Sequence, residues 1–287
     1  MEWPRVTDLK GLWASLLWAP VLLSLACNGD AVTPPRIIVA GDAEGPLPPC
    51  FGVYCDLIAL ERYGMDPFYR KIVVTHLIPV VGSHQVQDGA FKLAVQIADS
   101  MIGDRPQWWG FLVEAGAFLA IMSVNEVTTD IPEHKFLSND PRTDWDTRAR
   151  GLGATPSNPI TTVGEENLLC LPNDVYLGER ILVHEFAHSI HRLIINQVAS
   201  TFEAELEATY QMARGEGLWV DTYADENRFE YWAEGVQSWF NANQSAQAGI
   251  HNDVNTRDEL LDYDPRLHAL IAEYFPETSW SPTCPSG

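Results

Sequence analysis

Residues 181–191 read ILVHEFAHSIH, and the rest of the chain is best read outward from them. Apolar Ile181, Leu182, Val183, Phe186, Ala187 and Ile190 surround His184, Glu185 and His188, which gives the segment the composition of a buried helix. On an α-helix, positions four apart differ by about 40° around the axis and about 6 Å along it. His184 and His188 can therefore aim two imidazoles at one point. Such groups on a core helix need partners, because an unpaired buried polar group is costly. Neutral imidazole binds Zn²⁺ at about 2.0–2.1 Å, and a catalytic zinc takes three protein ligands and leaves a fourth position to water. Glu185, beside the first histidine, stands where a general base could reach that water. The competing reading is a pair of histidines satisfied within the core.

One helix supplies two ligands, so a third must come from elsewhere. A histidine six residues after His188 is absent, because that position is Ile194. His191 lies two turns from His184, about 10 Å along the axis, and reads as a pocket-wall or surface residue. The stretch FEYWAEG at 229–235 places Glu230 and Glu234 four apart on an otherwise apolar helix. Glu230 is the candidate third ligand. Glu234, one turn on, is then set to accept the outer N–H of a liganding histidine, His188 for preference, which would fix its tautomer and orientation. Tyr223, seven residues before Glu230, is a candidate to point over the metal and stabilise an oxyanion. A rival ligand is Glu207, 19 residues after His188, although FEAELEATYQMA around it alternates charge like a solvated helix.

The HEFAH of 184–188, the EYWAE of 230–234 and Tyr223 ahead of it together resemble the gluzincin metallopeptidases, and among them the lethal factor-like catalytic domain. The missing histidine at 194 sets the chain apart from the metzincins. The resemblance runs from Leu182 to Phe240, about a fifth of the chain. It implies a zincin-like α+β fold, with a mixed β/α N-terminal half carrying the metal helix, a mainly helical C-terminal half and an active-site cleft between them. It implies His184, His188 and Glu230 as ligands of one Zn²⁺ per chain, Glu185 as general base, Tyr223 as a catalytic partner, and a protein or peptide substrate. Two other readings stay open. One is a non-catalytic extracellular binding protein that retains the zincin fold, the other an aminopeptidase-like gluzincin with Glu207 as third ligand.

The bulk composition fits a folded enzyme better than a nucleic-acid binder. A formal net charge of −21 opposes binding to a polyanion, which needs concentrated Lys and Arg, while 46% hydrophobic residues are enough to build a core. Residues 1–26 differ from the rest. Arg5 and Lys10 precede an apolar run ending in Ser24-Leu25-Ala26, the pattern of a secretory signal peptide. The run is short against the roughly 20 residues of a membrane span, and Pro20 interrupts it. Cys27 then stands where a bacterial lipoprotein is acylated. Lipidation there, or an uncleaved N-terminal segment, would attach the chain to a membrane. The expected location is extracellular, free or surface-anchored. Setting Cys27 aside leaves four of five cysteines, an even number that suits an oxidising compartment. The preferred pairs are Cys50–Cys55 and Cys170–Cys284, one of three connectivities.

Residues 27–49 are rich in Pro and Gly and read as a linker, followed by a single domain over 50–287. Within it, 70–83 has the β-branched density of a buried strand, 89–103 has helical spacing ending on Gly103, and 118–124 fits a strand. Residues 127–159 form a long polar connection. The stretch 160–171 reads as a strand near the site, with its edge around 165–171 offered to an extended substrate. Helices are expected over 173–195, 200–215 and 225–243, the last capped by Asp225 or Asn227, and over 256–275 as a pair broken at Pro265. Strands first and helices later give an α+β order.

Overall fold

The computed structural model describes residues 59–176, 178–246 and 250–284. The signal-like segment, Cys27, the 27–49 linker and the Cys50–Cys55 pair lie outside them. The fold is α+β. Five strands, β1 (Lys71–Thr75), β2 (Ile78–Gly82), β3 (Phe118–Met122), β4 (Gly151–Leu152) and β5 (Ile160–Gly164), form one sheet in the order β1-β2-β3-β5-β4. The central β2, β3 and β5 are parallel, and β1 and β4 run antiparallel at the two edges. All five residues of each central strand are buried, as expected where both faces of a parallel sheet are covered. The single strand read over 70–83 is in fact a hairpin. Its turn is made by His76 and Leu77, both left-handed at φ 46° and 68°. A two-residue turn with both φ positive matches the right-handed twist of its strands.

Helices α1 (Asp88–Ile102) and α2 (Pro106–Glu114) connect β2 to β3. The former ends at Gly103, whose N–H bonds the Asp99 carbonyl. The long polar connection is ordered by short turns at Thr128–Asp130, Pro132–Asn139 and Trp145–Arg148. Residues 160–171 divide between β5 and a short helix, α3 (Glu165–Leu169), and so do not offer a strand edge after Gly164. The cause is visible in the buried acids. Glu165 accepts the N–H groups of Gln87 and Val124 at 2.7 and 3.0 Å, and Glu166 takes Arg150 at 2.6 and 2.8 Å. A continued strand would send these two carboxylates to opposite faces.

Helix α4 (Ile181–Ile190), which carries the candidate metal ligands, starts eight residues later than the sequence predicts and runs on into a π-helical turn, His191–Ile195. It is followed by α5 (Phe202–Gly215), α6 (Arg228–Trp239), α7 (Arg257–Tyr263) and α8 (Pro265–Ala272). Asn227 caps α6, its side chain accepting from Phe229 N and Glu230 N at 2.9 and 3.2 Å. Trp232, Trp239, Tyr231, Phe186 and Phe202 are fully buried between the helices and bind the metal helix to the helical half. A disulfide joins Cys170 to Cys284 with Cα atoms 5.6 Å apart, tying the segment before α4 to the C-terminal tail. No described helix is long and apolar enough to cross a membrane.

Candidate metal centre

Helix α6 runs back along α4. Trp232 Nε1 donates to Ala187 O, Gln237 Nε2 approaches Arg180 O, and Arg180 N donates to Ala242 O, so each later turn of α6 meets an earlier turn of α4. This antiparallel pairing sets Glu230 over the histidine pair. His184 Nε2 and His188 Nε2 lie 3.1 Å apart, and Glu230 Oε2 is 3.0 and 3.2 Å from them. Tetrahedral bonds of about 2.0–2.1 Å require ligand atoms roughly 3.3 Å apart. The triangle has the size and the donor chemistry of a zinc site.

The site is buried and strongly polarised. Burial alone would raise the Glu230 carboxyl, but hydrogen bonds and charge from His184 and His188 outweigh it and hold the group well below the usual carboxylate range. Burial likewise opposes charge on His184, yet the facing Glu230 and Glu234 lift it well above its ordinary value. His188 is lowered, chiefly by burial. Glu185 is half-buried. Its carboxyl is pushed up to about 7, chiefly by burial; the charges of Glu230 and Glu179 add to the rise, and His184 and the Gly153 backbone N–H oppose it. His184, Glu185, His188 and Glu230 line a cleft of about 680 Å³ together with Tyr223 and the β4 segment.

That segment, which the sequence reading passed over as loop, forms the rim of the cleft. Ala154 N donates to Ser189 Oγ at 2.9 Å, and Ser189 Oγ in turn pairs with Thr161 Oγ1 at 2.6 Å, stitching strand to helix. A Cβ on Gly151 would stand 2.5 Å from Ile181 Cγ2 and 3.1 Å from Glu185 Cγ. The Gly-Leu-Gly of 151–153 is the signal that the backbone here approaches another element closely.

Tyr223 opens a short 3₁₀ turn, Tyr223–Asp225, ahead of α6. Its ring lies against that of His184, with centroids 5.9 Å apart and planes 30° apart. Its hydroxyl oxygen accepts from Arg148 Nη2 at 3.3 Å, and its backbone N–H bonds Ile250 O at 2.6 Å. Burial, with the charge of Glu230 adding, pushes its hydroxyl up to about 12, so it stays protonated. Arg148, which the sequence did not single out, shares the cleft wall.

Two expectations change, and one rival is placed away from the histidine pair. Glu234 stands by His184 rather than His188, its Oε1 3.4 Å from His184 Nδ1. The reversed course of α6 is the reason, since one turn beyond Glu230 faces the earlier histidine. The nearer partner of that nitrogen is Gln237 Oε1 at 2.8 Å. The outer nitrogen of His188 is buried without a protein partner among the described residues. His191 is neither pocket wall nor surface. It is fully buried against Phe202 and Trp232, with Nε2 2.8 Å from Glu203 Oε1, and burial lowers it to about 4. Glu207 lies on the exposed side of α5, where it faces Arg228 at 3.4 Å and Gln211 at 3.0 Å, not the histidine pair. Besides Arg148, the residues missed by sequence reasoning are Gln237, Glu179 and His251, which together back His184.

No protein-family profile and no curated protein matches the chain. Among solved structures, the chain is similar to the Pro-Pro endopeptidase PPEP-2 from Paenibacillus alvei, with a TM-score of 0.46 and 18% identity over 68% of this chain and 97% of that chain.

Proposed function

We propose that the chain is an exported zinc metalloendopeptidase of the gluzincin kind, with His184, His188 and Glu230 holding one zinc. The observation that carries this reading is the triangle of two imidazole nitrogens and a carboxylate oxygen, 3.0–3.2 Å on each side, at the floor of an open cleft. Zinc bound there would lower the pKa of a coordinated water towards about 7 and polarise the substrate carbonyl. Glu185, beside the first ligand and raised by burial, would take the proton of the attacking water and deliver it to the leaving amine. Tyr223, its oxygen engaged by Arg148, keeps its own proton free to donate to the developing oxyanion. The β4 rim pairs with β5 on one side only among the described residues, so its other edge is open to an extended peptide added as a further strand. The N-terminal segment and the Cys170–Cys284 bridge support export, and lipidation at Cys27 would anchor the protein at the surface.

The test joins metal content to turnover. Wild type should hold about one zinc and cleave an unfolded protein, and Glu185→Gln should keep zinc and fold while losing cleavage by several orders of magnitude. Zinc should be lost in Glu230→Ala and kept in Glu207→Ala. Cleavage undiminished in Glu185→Gln, or zinc lost only in Glu207→Ala, would overturn the assignment. Stoichiometric zinc with no hydrolysis of any polypeptide would favour the binding-protein reading.

A further inference from the structure

Behind His184 the side chains close into a ring. Gln237 Oε1 is 2.8 Å from His184 Nδ1, and Gln237 Nε2 donates to Glu179 Oε1 at 3.0 Å. The other oxygen of Glu179 lies 3.4 Å from His251 Nε2, and His251 Nδ1 lies 3.0 Å from Glu234 Oε2. Glu234 Oε1 returns to His184 Nδ1 at 3.4 Å. The four ionisable members are buried, their side chains no more than 7% exposed.

The ring decides what His184 can offer. Glu179 accepts from the amide nitrogen of Gln237, as does Arg180 O at 3.4 Å, so the amide oxygen must face the histidine. His184 Nδ1 then meets only acceptors and carries a proton, which frees Nε2 to face His188 and Glu230. Charge imposes a second condition. Glu179 and Glu234 are both buried, with Glu185 and Glu230 close by. Arg180 turns its guanidinium away, towards Asn167 O and the sulfurs of the disulfide. Among the described residues, His251 is the cation seated between the two acids. Both its nitrogens face carboxylate oxygens, so both carry protons, and the pair lifts its pKa to about 10. Glu179, His184 and Glu234 by themselves have the spacing of a metal cage. The Gln237 amide already takes up His184 Nδ1 and Glu179, and His251 faces both acids, while Glu234 Oε1 has only the 3.4 Å approach to His184 and no hydrogen-bond partner among the described residues. The same loop also holds Tyr223, because its backbone N–H bonds the carbonyl of Ile250, next to His251.

We infer that His251 is a positioning residue of the metal centre. As a buried imidazolium it holds Glu179 and Glu234 in the ring that orients His184, and through Ile250 it steadies the Tyr223 turn. This rests on the metallopeptidase reading, and the test separates the two. Zinc affinity is measured without turnover, by competition with a chromogenic chelator, on full-length wild type, His251→Ala and His251→Gln, alongside the absorption spectrum of the cobalt-loaded proteins. Each variant should bind zinc about 10- to 100-fold more weakly and show a shifted cobalt spectrum, at temperatures where circular dichroism matches wild type. A merely structural role would lower the melting temperature and leave both readouts in place. The double variant Glu179→Gln/His251→Gln keeps the buried net charge unchanged, and it serves if the single variants do not fold. It takes the imidazolium away from Glu234 and leaves Gln237 only a neutral amide partner, and it should weaken zinc to a similar degree. Affinity within about twofold of wild type with an unchanged spectrum, in any folded variant, overturns the inference while the metallopeptidase reading stands. Absence of zinc binding by wild type overturns both.

Discussion

A Cβ built on Gly153 would stand 2.5 Å from the Cβ of His188 and 2.9 Å from the Glu185 carbonyl oxygen. The rim of the cleft therefore touches α4 closely, and the proposed ligand His188 and the segment proposed to bind substrate are fixed by one contact. Neither neighbour can yield without moving α4. At Gly151 the nearest atom is instead the γ2 methyl of Ile181, which shifts only if χ1 of that residue changes, and the nearest backbone atom, Thr162 O, stands off at 3.2 Å. Gly153→Ala should thus destabilise by about 1–3 kcal/mol and weaken zinc binding, with Gly151→Ala the milder of the two. Thermal melts and chelator competition on the pair check the order. Equal effects would mean the rim is compliant and does not register His188.

Tyr223 and Arg148 form a second dependent pair. The guanidinium occupies a lone pair of the phenol oxygen at 3.3 Å, so in the proposed mechanism Arg148 would act on an oxyanion through Tyr223. Tyr223→Phe should cut kcat by about 10²- to 10³-fold with KM little changed, as expected when one oxyanion donor is removed. Arg148→Ala should cost roughly tenfold, within the range for orienting groups. The double variant should be no slower than Tyr223→Phe. Steady-state kinetics of the three proteins give the answer, and additive losses would mean that Arg148 meets substrate directly.

Much of this site was open to reading before any coordinates. His184, Glu185 and His188 announce themselves by spacing on an apolar helix and Glu230 by a second helix of like composition, while the cap is narrowed only to Asp225 or Asn227 and Cys170–Cys284 is a preference among three connectivities. Other parts left no trace that a periodicity could catch. The hairpin turn uses His76 and Leu77 in left-handed conformations, without the Gly or Asn that usually marks such a turn. β4 is two residues long and too short to alternate. The pairing of Glu234 with His184 depends on the direction in which α6 crosses α4, which two separate helices do not declare. Gln237 and His251 take their roles from hydrogen bonds that span 53 and 17 residues of sequence, so only the packed fold brings the ring together.

His134 should make stability fall in mild acid. It is 2% exposed, and Asn158 Nδ2 faces its Nδ1 at 3.3 Å while its Nε2 faces Thr162 Oγ1 at 3.2 Å, a setting for the neutral ring. Burial lowers its pKa to about 4, against about 6.5 when unfolded. Between those values the unfolded chain binds more protons than the native one, so stability rises with pH. The contribution is complete above about 6.5, lost below about 4, and no larger than about 3.4 kcal/mol. Urea unfolding from pH 4 to 7 should show a shallower slope for His134→Gln than for wild type. Parallel curves would place the acid sensitivity elsewhere, with His191 the next buried histidine to examine.

The Cys170–Cys284 bridge closes a loop of 114 residues that contains both metal helices. In the chain-entropy view a loop of this size restrains the unfolded state by up to about 4.7 kcal/mol, and removing native bridges commonly costs about 2–5 kcal/mol. The bridge also fixes the tail at Arg180, whose guanidinium contacts both sulfurs and whose backbone N–H bonds Ala242 just beyond α6. Cys284→Ser should therefore lower the unfolding free energy by a few kcal/mol. It should leave zinc affinity nearly intact, because the contacts among His184, His188 and Glu230 do not pass through the tail. Denaturant titrations with and without a thiol reductant, on a Cys50→Ser/Cys55→Ser background, measure the first effect, and the reductant should bring the parent down to the Cys284→Ser variant while leaving that variant unmoved. If Cys284→Ser instead released the metal, the N-terminal end of α4 would have to be held by the tail rather than by Asn167, which accepts Ile181 N at 3.0 Å.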